Sequence, residues 1–167
     1  MDRKRLLDEL KQNTRELGAR FELPEAQLER SYAPGKWTVR QLLAHLADSE
    51  FINLGRFCMA VAEPGSVVAP FSENRWASEL GYDRRPRESA AQLFLGARQT
   101  LQHYVQTLPE ELLSRSCVHP EKGPLDGWSW VELAIGHAAH HMSQIDAAAS
   151  GEAWVKPAIA NASRFGA

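Results

Sequence analysis

The sequence has little cysteine, little net charge and no long apolar run, and each shortage closes off a class of protein. Two cysteines, Cys58 and Cys117, in 167 residues cannot build a disulfide framework, and nothing near them has zinc-finger spacing. A formal charge of -2 and a pI near 6.3 leave no electrostatic footprint for nucleic acid. The basic clusters Arg3 to Arg5 and Arg84 to Arg87 are diluted by Asp2, Asp8, Asp83 and Glu88, and read as solvated surface. No uncharged run approaches the ~18 apolar residues of a membrane span. The opening MDRKRLLDEL has no apolar signal region, so a cytoplasmic protein with neither nucleic acid nor membrane as partner is expected. Nor is there a convincing strand run. With 44% hydrophobic residues the chain can bury a sizeable core, and one domain over residues 1–167 is expected.

What the sequence does have is helical periodicity. Leu7, Leu10, Thr14 and Leu17 share a face through Asp2 to Gly18, predicting a first helix that ends at Gly18. A short helix fits Glu25 to Tyr32. In KWTVRQLLAHLADSEFINLGRFCMAVA, Thr38 and Gln41 have the form of a capping box, with Trp37 and Leu42 as its staple. Along that second long helix Leu42, His45, Ser49, Ile52 and Arg56 alternate by three and four. The pattern then breaks at Pro64, Gly65 and Pro70 and resumes near Pro86. A connection that long does not suit a tight hairpin between helices; it predicts a crossover carrying a short helix near Glu73 to Leu80, packed over one edge and placed to roof a pocket. Ala90, Phe94, Ala97, Leu101, Tyr104 and Leu108 mark a third long helix from Arg87 to Thr107, with a further turn at Pro109 to Leu113. Ser116 to Gly127 reads as a loop. Ser129 and Glu132 have the form of a second capping box, opening a last helix over Trp128 to Ala149. The tail from Glu152 to Ala167 carries too little pattern to assign. Four long helices make the fold class all-α, a four-helix bundle with one long crossover between the second and third long helices.

The candidate chemistry lies in three histidines. On the last helix Trp130, Ala134, His137, His141, Gln144 and Ala148 form one stripe, so two imidazoles project one turn apart to the same side. His45 faces an otherwise mostly nonpolar seam of the second long helix. A lone histidine on such a face is more often a satisfied core residue; paired with a His-x3-His stripe, it becomes a candidate third ligand. Three neutral imidazoles suit zinc, nickel, cobalt, iron or copper and leave a coordination position for water or substrate. Free imidazole titrates near ~6.5, so such a site is expected to lose its metal between about pH 6 and 5. The residue after His137 is Ala138, so the general base of an HExxH protease is missing. Ser49, Arg56 and Gln144 are candidate pocket residues: the first and last lie about one turn from the proposed ligands, and Arg56 can hold an anionic group or snorkel to solvent. His140 falls off the stripe and is expected at its edge or in solvent.

The pairing of KWTVRQLLAHLADSE with GWSWVELAIGHAAHHMSQI, separated by FSENRW and LFLGARQTL, resembles the DinB/YfiT-like superfamily of four-helix-bundle proteins over about Leu6 to Ala149. The most specific element is one histidine on the second long helix plus H-x3-H-x2-Q on the last. The resemblance implies an up-down-down-up bundle, frequent homodimers, and a divalent metal, zinc or nickel first among them, held by His45, His137 and His141. It leaves His140 as the extra member of the HH doublet. Members described as active include thiol-dependent transferases using bacillithiol or mycothiol and a maleylpyruvate isomerase. The expectation is therefore a metal-dependent enzyme activating a thiol or water for transfer to, or hydrolysis of, a small molecule. The alternative is a noncatalytic bundle in which a metal or small ligand has a structural or stress-response role.

Overall fold

Apolar stripes on four helices have to be buried against one another, and in the computed structural model, which describes residues 2–156, they are. The long helices are α1 (Arg3–Arg20), α3 (Val39–Ala62), α5 (Arg87–Thr107) and α7 (Gly127–Ser150). Three short ones, α2 (Glu25–Leu28), α4 (Glu73–Glu79) and α6 (Glu110–Leu113), lie between them. No described helix is long and apolar enough to cross a membrane. Going round the bundle, α1 packs on α5 and α7, and α3 packs on the same two from the opposite corner.

Two core clusters give the helix directions. One gathers Leu6 and Leu10 from the start of α1, Phe57 and Val61 from the end of α3, Leu101 and Val105 from the end of α5, and Trp130 and Ala134 from the start of α7. The other gathers the opposite halves: Leu17, Leu42 and Leu46, Phe94, and Met142 and Ile145. So α1 and α7 run one way, and α3 and α5 the other. Burying aliphatic and aromatic side chains at about 1.5–3 kcal/mol each is what holds the four together.

Helix ends follow local chemistry, with three departures from the sequence reading besides the early end of α2 at Leu28, short of the expected Tyr32. At α3 the Thr38–Gln41 box is formed: the Gln41 N–H donates to Thr38 Oγ1 at 3.3 Å and the Thr38 N–H to Gln41 Oε1 at 2.9 Å. At α7 the cap is Asp126 rather than Ser129; its carboxylate accepts from the Ser129 N–H at 2.8 Å and the Ser129 hydroxyl at 2.6 Å. Ser129 supplies donors to the cap, so Asp126→Ala is expected to cost about 1–2 kcal/mol in a denaturant melt and Ser129→Ala distinctly less. The first helix runs on through Gly18 to Arg20, because nothing forces Gly18 out of helical geometry. By contrast α7 does stop at a left-handed glycine, Gly151 at φ 76°.

The third departure is a β-hairpin where a loop was expected. Strands β1 (Ser116–His119) and β2 (Gly123–Asp126) pair antiparallel, Cys117 opposite Leu125 and His119 opposite Gly123. The crossover extends this ribbon: Val68 N–H donates to the Val118 carbonyl at 3.0 Å, and Val118 N–H to that of Ser66 at 2.8 Å. Cys117 sits underneath, accepting from Trp130 Nε1 at 3.3 Å, while both cysteines are free thiols. Further along the crossover, the Tyr82 hydroxyl donates to Asp48 Oδ2 at 2.6 Å, and Arg85 pairs with the same carboxylate. Residues 157–167 of the tail lie outside the described residues.

Candidate metal centre

The stripes on α3 and α7 run side by side, and where they meet the chain brings three imidazoles together. One ring nitrogen each from His45, His137 and His141 lies within 4.8 Å of the others. His45 Nε2 and His137 Nε2 are 3.1 Å apart, and the three rings meet edge to face with centroids 4.6–5.0 Å apart. His45 is fully buried; the other two are half-buried. Trp37, the staple residue of α3, packs its ring 5.0 Å from that of His45.

Hydrogen bonds fix part of the ring chemistry. Gln144 Oε1 lies 2.7 Å from His141 Nδ1, so that nitrogen carries the proton and Nε2 keeps its lone pair. The Gln144 amide reaches on to His140 Nε2 at 3.3 Å and the Tyr32 hydroxyl at 3.5 Å. Ser49 Oγ is 3.4 Å from both ring nitrogens of His45. His137 Nδ1 is buried with no hydrogen-bond partner among the described residues.

Burial acts on all three rings. Desolvation, with a smaller push from His141, takes His45 down to about 3. Desolvation takes His141 to about 4, against an opposing hydrogen bond from Gln144, and holds His137 well below the ordinary imidazole value, with His141 and His45 adding to the effect. The rings are therefore neutral at any physiological pH. The donor set, three uncharged imidazoles converging on one point, fits a divalent transition ion, which needs deprotonated nitrogen ligands.

Burial lowers these rings below the free-imidazole value on which the expected metal loss between about pH 6 and 5 rests. In the metal-free protein protons reach these nitrogens only at lower pH, about 3 for His45 and about 4 for His141. In the metal-free protein the unfolded chain takes up protons near ~6.5 while the folded one resists. Stability present above that pH is therefore lost progressively as the pH falls toward about 4. Urea melts of chelator-treated protein between pH 7.5 and 4.5 are expected to show this slope, and His45→Phe to flatten it.

The cluster opens onto a cavity of about 480 Å³ between α3, α7, the crossover and the hairpin. Ser49 and Arg56 line it from α3, Trp130 and His140 from α7, Phe71 from the crossover and His119 from β1. A second recess of about 250 Å³, lined by Tyr32, Lys36 and Trp37 among others, reaches His141 and Gln144 from another side. A wider and more open depression of about 680 Å³ near Trp76 and Arg85 contains none of the three histidines; its carboxylate, Asp48, is already bonded to Tyr82 and Arg85.

Of the six residues singled out in the sequence, five gather at or beside the cluster, and Arg56 stands at the other end of the cavity. Phe71 belongs to the crossover expected to roof a pocket, whereas His119 and Trp154 are not among the residues the sequence singled out. His119 and Phe71 sit in segments without helical period; the strand-turn-strand form of SCVHPEKGPLD was the available signal for His119. Trp154 lies just past α7, folds back to donate to Ser143 Oγ at 2.9 Å, and packs its ring 5.3 Å from that of His140.

Comparison with known proteins agrees with this architecture. The chain superposes on YfiT from Bacillus subtilis, a four-helix bundle of unusual topology, with a TM-score of 0.81 at 23% identity, covering 92% of this chain and 89% of that one. It also superposes on a mycothiol-dependent maleylpyruvate isomerase with a TM-score of 0.71 at 14% identity, covering 87% of this chain and 61% of that one. A "Putative metal-dependent hydrolase" of Oceanobacillus iheyensis is 29% identical over 134 residues, 80% of this chain and 77% of that protein. One of the same description from Bacillus cereus is 29% identical over 124 residues, 74% of this chain and 71% of that protein. The family model of the DinB superfamily matches residues 6–145, and the chain belongs to that superfamily.

Proposed function

We propose that the chain is a metal-dependent enzyme in which His45, His137 and His141 hold a divalent ion, zinc or nickel, and in which a low-molecular-weight thiol or water is activated toward a small-molecule electrophile. The observation that carries the reading is a three-imidazole cluster opening onto a cavity of about 480 Å³. A purely structural site has no use for that opening. When bound, the ion would lower the pKa of a thiol or water and supply a nucleophile near neutral pH.

The protein's own groups do the rest. Gln144 holds the His141 ring by its Nδ1–H, keeping the other nitrogen turned to the cluster. Trp37 and Ser49 pack against His45, and the hairpin and crossover enclose the cavity on the sides the helices leave open. Thiol transfer is favoured over hydrolysis because two recesses converge on His141, which suits a reaction with two substrates. The names of the curated relatives support metal dependence and hydrolysis; the isomerase neighbour supports a thiol cosubstrate. A homodimer belongs to the same proposal and rests on the resemblance alone; a cytoplasmic location belongs to it as the sequence expectation stated above.

The test is spectroscopic. Untagged protein loaded with cobalt(II) is titrated with 2-mercaptoethanol, then given monobromobimane as electrophile. Expected are a sulfur-to-cobalt charge-transfer band saturating at one thiol per chain and bimane consumption faster than with metal-free protein. A loaded protein blind to thiols but active on simple esters favours hydrolysis instead. One that merely melts at higher temperature with metal, and responds to neither, is the noncatalytic bundle.

A further inference from the structure

The end of the cavity away from the cluster holds a cation that the histidine site does not use. Arg56 follows His45 by eleven residues on α3, about 16 Å along the helix axis at 1.5 Å per residue. Its guanidinium lies 5.5 Å from the centroid of the Trp130 ring and 5.7 Å from that of Phe71, and Nη2 donates to the Ala69 carbonyl at 2.7 Å. Two rings and a carbonyl thus fix the fork in place. Arg56 makes no ion pair among the described residues, although Glu73, Glu121 and Glu132 line the same cavity. A half-buried guanidinium held rigid and left without a counter-ion is an arrangement for binding one.

His119 is its neighbour. The backbone N–H groups of Glu121 and Lys122 both point at His119 Nδ1, at 3.2 and 3.4 Å, so that nitrogen keeps its lone pair and the ring proton sits on Nε2. The hairpin turn therefore sets the tautomer and makes the opposite edge of the ring a hydrogen-bond donor. The ring is buried, lines the cavity and feels the Arg56 charge.

We propose that Arg56 and His119 form a carboxylate-binding subsite, so that the substrate is an elongated monoanion whose acid end docks here and whose reactive end reaches the histidine cluster. Its length, on the order of 10 Å, follows from the axial separation less the reach of the two side chains. A carboxylate is favoured over a phosphate because two cations, Arg56 and Lys122, line the cavity against three glutamates, which disfavours a dianion. The reactive-end half rests on the proposed function above; the acid subsite does not need the metal.

Calorimetric titration with 4-phenylbutanoate, 4-phenylbutan-1-ol and phenyl phosphate, on metal-free and metal-loaded protein, tests this. The acid is expected to bind at least about ten-fold tighter than the alcohol, the scale of one charge-assisted hydrogen-bond pair. Arg56→Gln should erase that preference, Arg56→Lys retain part of it, because an ammonium lacks the fork, and His119→Phe reduce it several-fold. Circular dichroism melts of each variant separate misfolding from lost recognition. Equal binding of acid and alcohol, no binding of either, an unchanged preference in Arg56→Gln, or preference for the phosphate would each overturn the proposal. A protein that never holds metal would remove the proposed chemistry and leave the acid preference intact.

Discussion

His137→Ala protein is expected to purify almost free of divalent metal, with affinity at least about 100-fold below the parent. Disturbing a group that merely supports a ligating histidine already costs about 10–100-fold, and this change removes a ligand outright. His137 is the pivotal choice: its Nε2 lies 3.1 Å from that of His45, and it shares one face of α7 with His141. Two imidazoles left on different helices hold an ion poorly, because the remaining positions fall to water. The metal-free stability of the same variant should fall only modestly, since the change relieves the buried Nδ1 of His137, which has no partner among the described residues, while it leaves His45 Nε2 without its neighbour at 3.1 Å. Metal analysis and a chelator-treated melt together check both halves. A variant that keeps its ion, or loses several kcal/mol without metal, would show a structural histidine instead.

The second large effect concerns stability. Glu50 and Arg98 are 1% and 0% exposed, with Arg98 Nη2 to Glu50 Oε1 at 2.8 Å and Nε to Oε2 at 2.7 Å. Burial pushes the Glu50 carboxyl up, and Arg98 pulls against it. Nη2 also donates to the Ala134 carbonyl at 2.8 Å, so this one side chain ties α5 to both α3 and α7, a single turn before His137. Removing one partner leaves an uncompensated buried charge: Arg98→Met or Glu50→Leu should cost about 3–5 kcal/mol, or roughly 10 °C in melting temperature for a chain of this size. Arg98→Met with Glu50→Leu should recover most of that loss, because two apolar side chains of similar volume need no solvation. Thermal melts of the two singles and the double form the cycle. A double as weak as the worse single would mean that the Ala134 contact, and not the pair, carries the effect.

What could be read in advance follows from the range over which each feature is encoded. Helical stripes are local: Ala90, Phe94, Ala97 and Leu101 repeat by four and three, and all four are buried in α5. The Thr38–Gln41 box is likewise local and forms as written. Ser129 and Glu132 matched the same template, but Asp126, three residues upstream, is the stronger acceptor and took the cap. The hairpin was missed because its strands are four residues each, too short for alternation to stand out, and because part of its edge is paired by the crossover. The histidine cluster was legible as three imidazoles on two inward stripes, whereas His119 and Phe71 belong to the cavity only through tertiary contacts. Glu50 and Arg98 leave a trace in the sequence. Arg98 falls four residues after Phe94 and three before Leu101, and Glu50 four after Leu46, so opposite charges stood on apolar faces of helices that pack together.

His45, His137 and His141 are proposed to act together as ligands of one ion. X-ray absorption at the zinc or nickel edge of untagged protein, loaded to one equivalent, measures this directly. Expected is a first coordination sphere dominated by three imidazole nitrogens, at about 2.0–2.1 Å for zinc, with the imidazole scattering pattern lost in His137→Ala. An ion held by oxygen or sulfur ligands, a spectrum unchanged by that substitution, or a protein that retains no ion would contradict it.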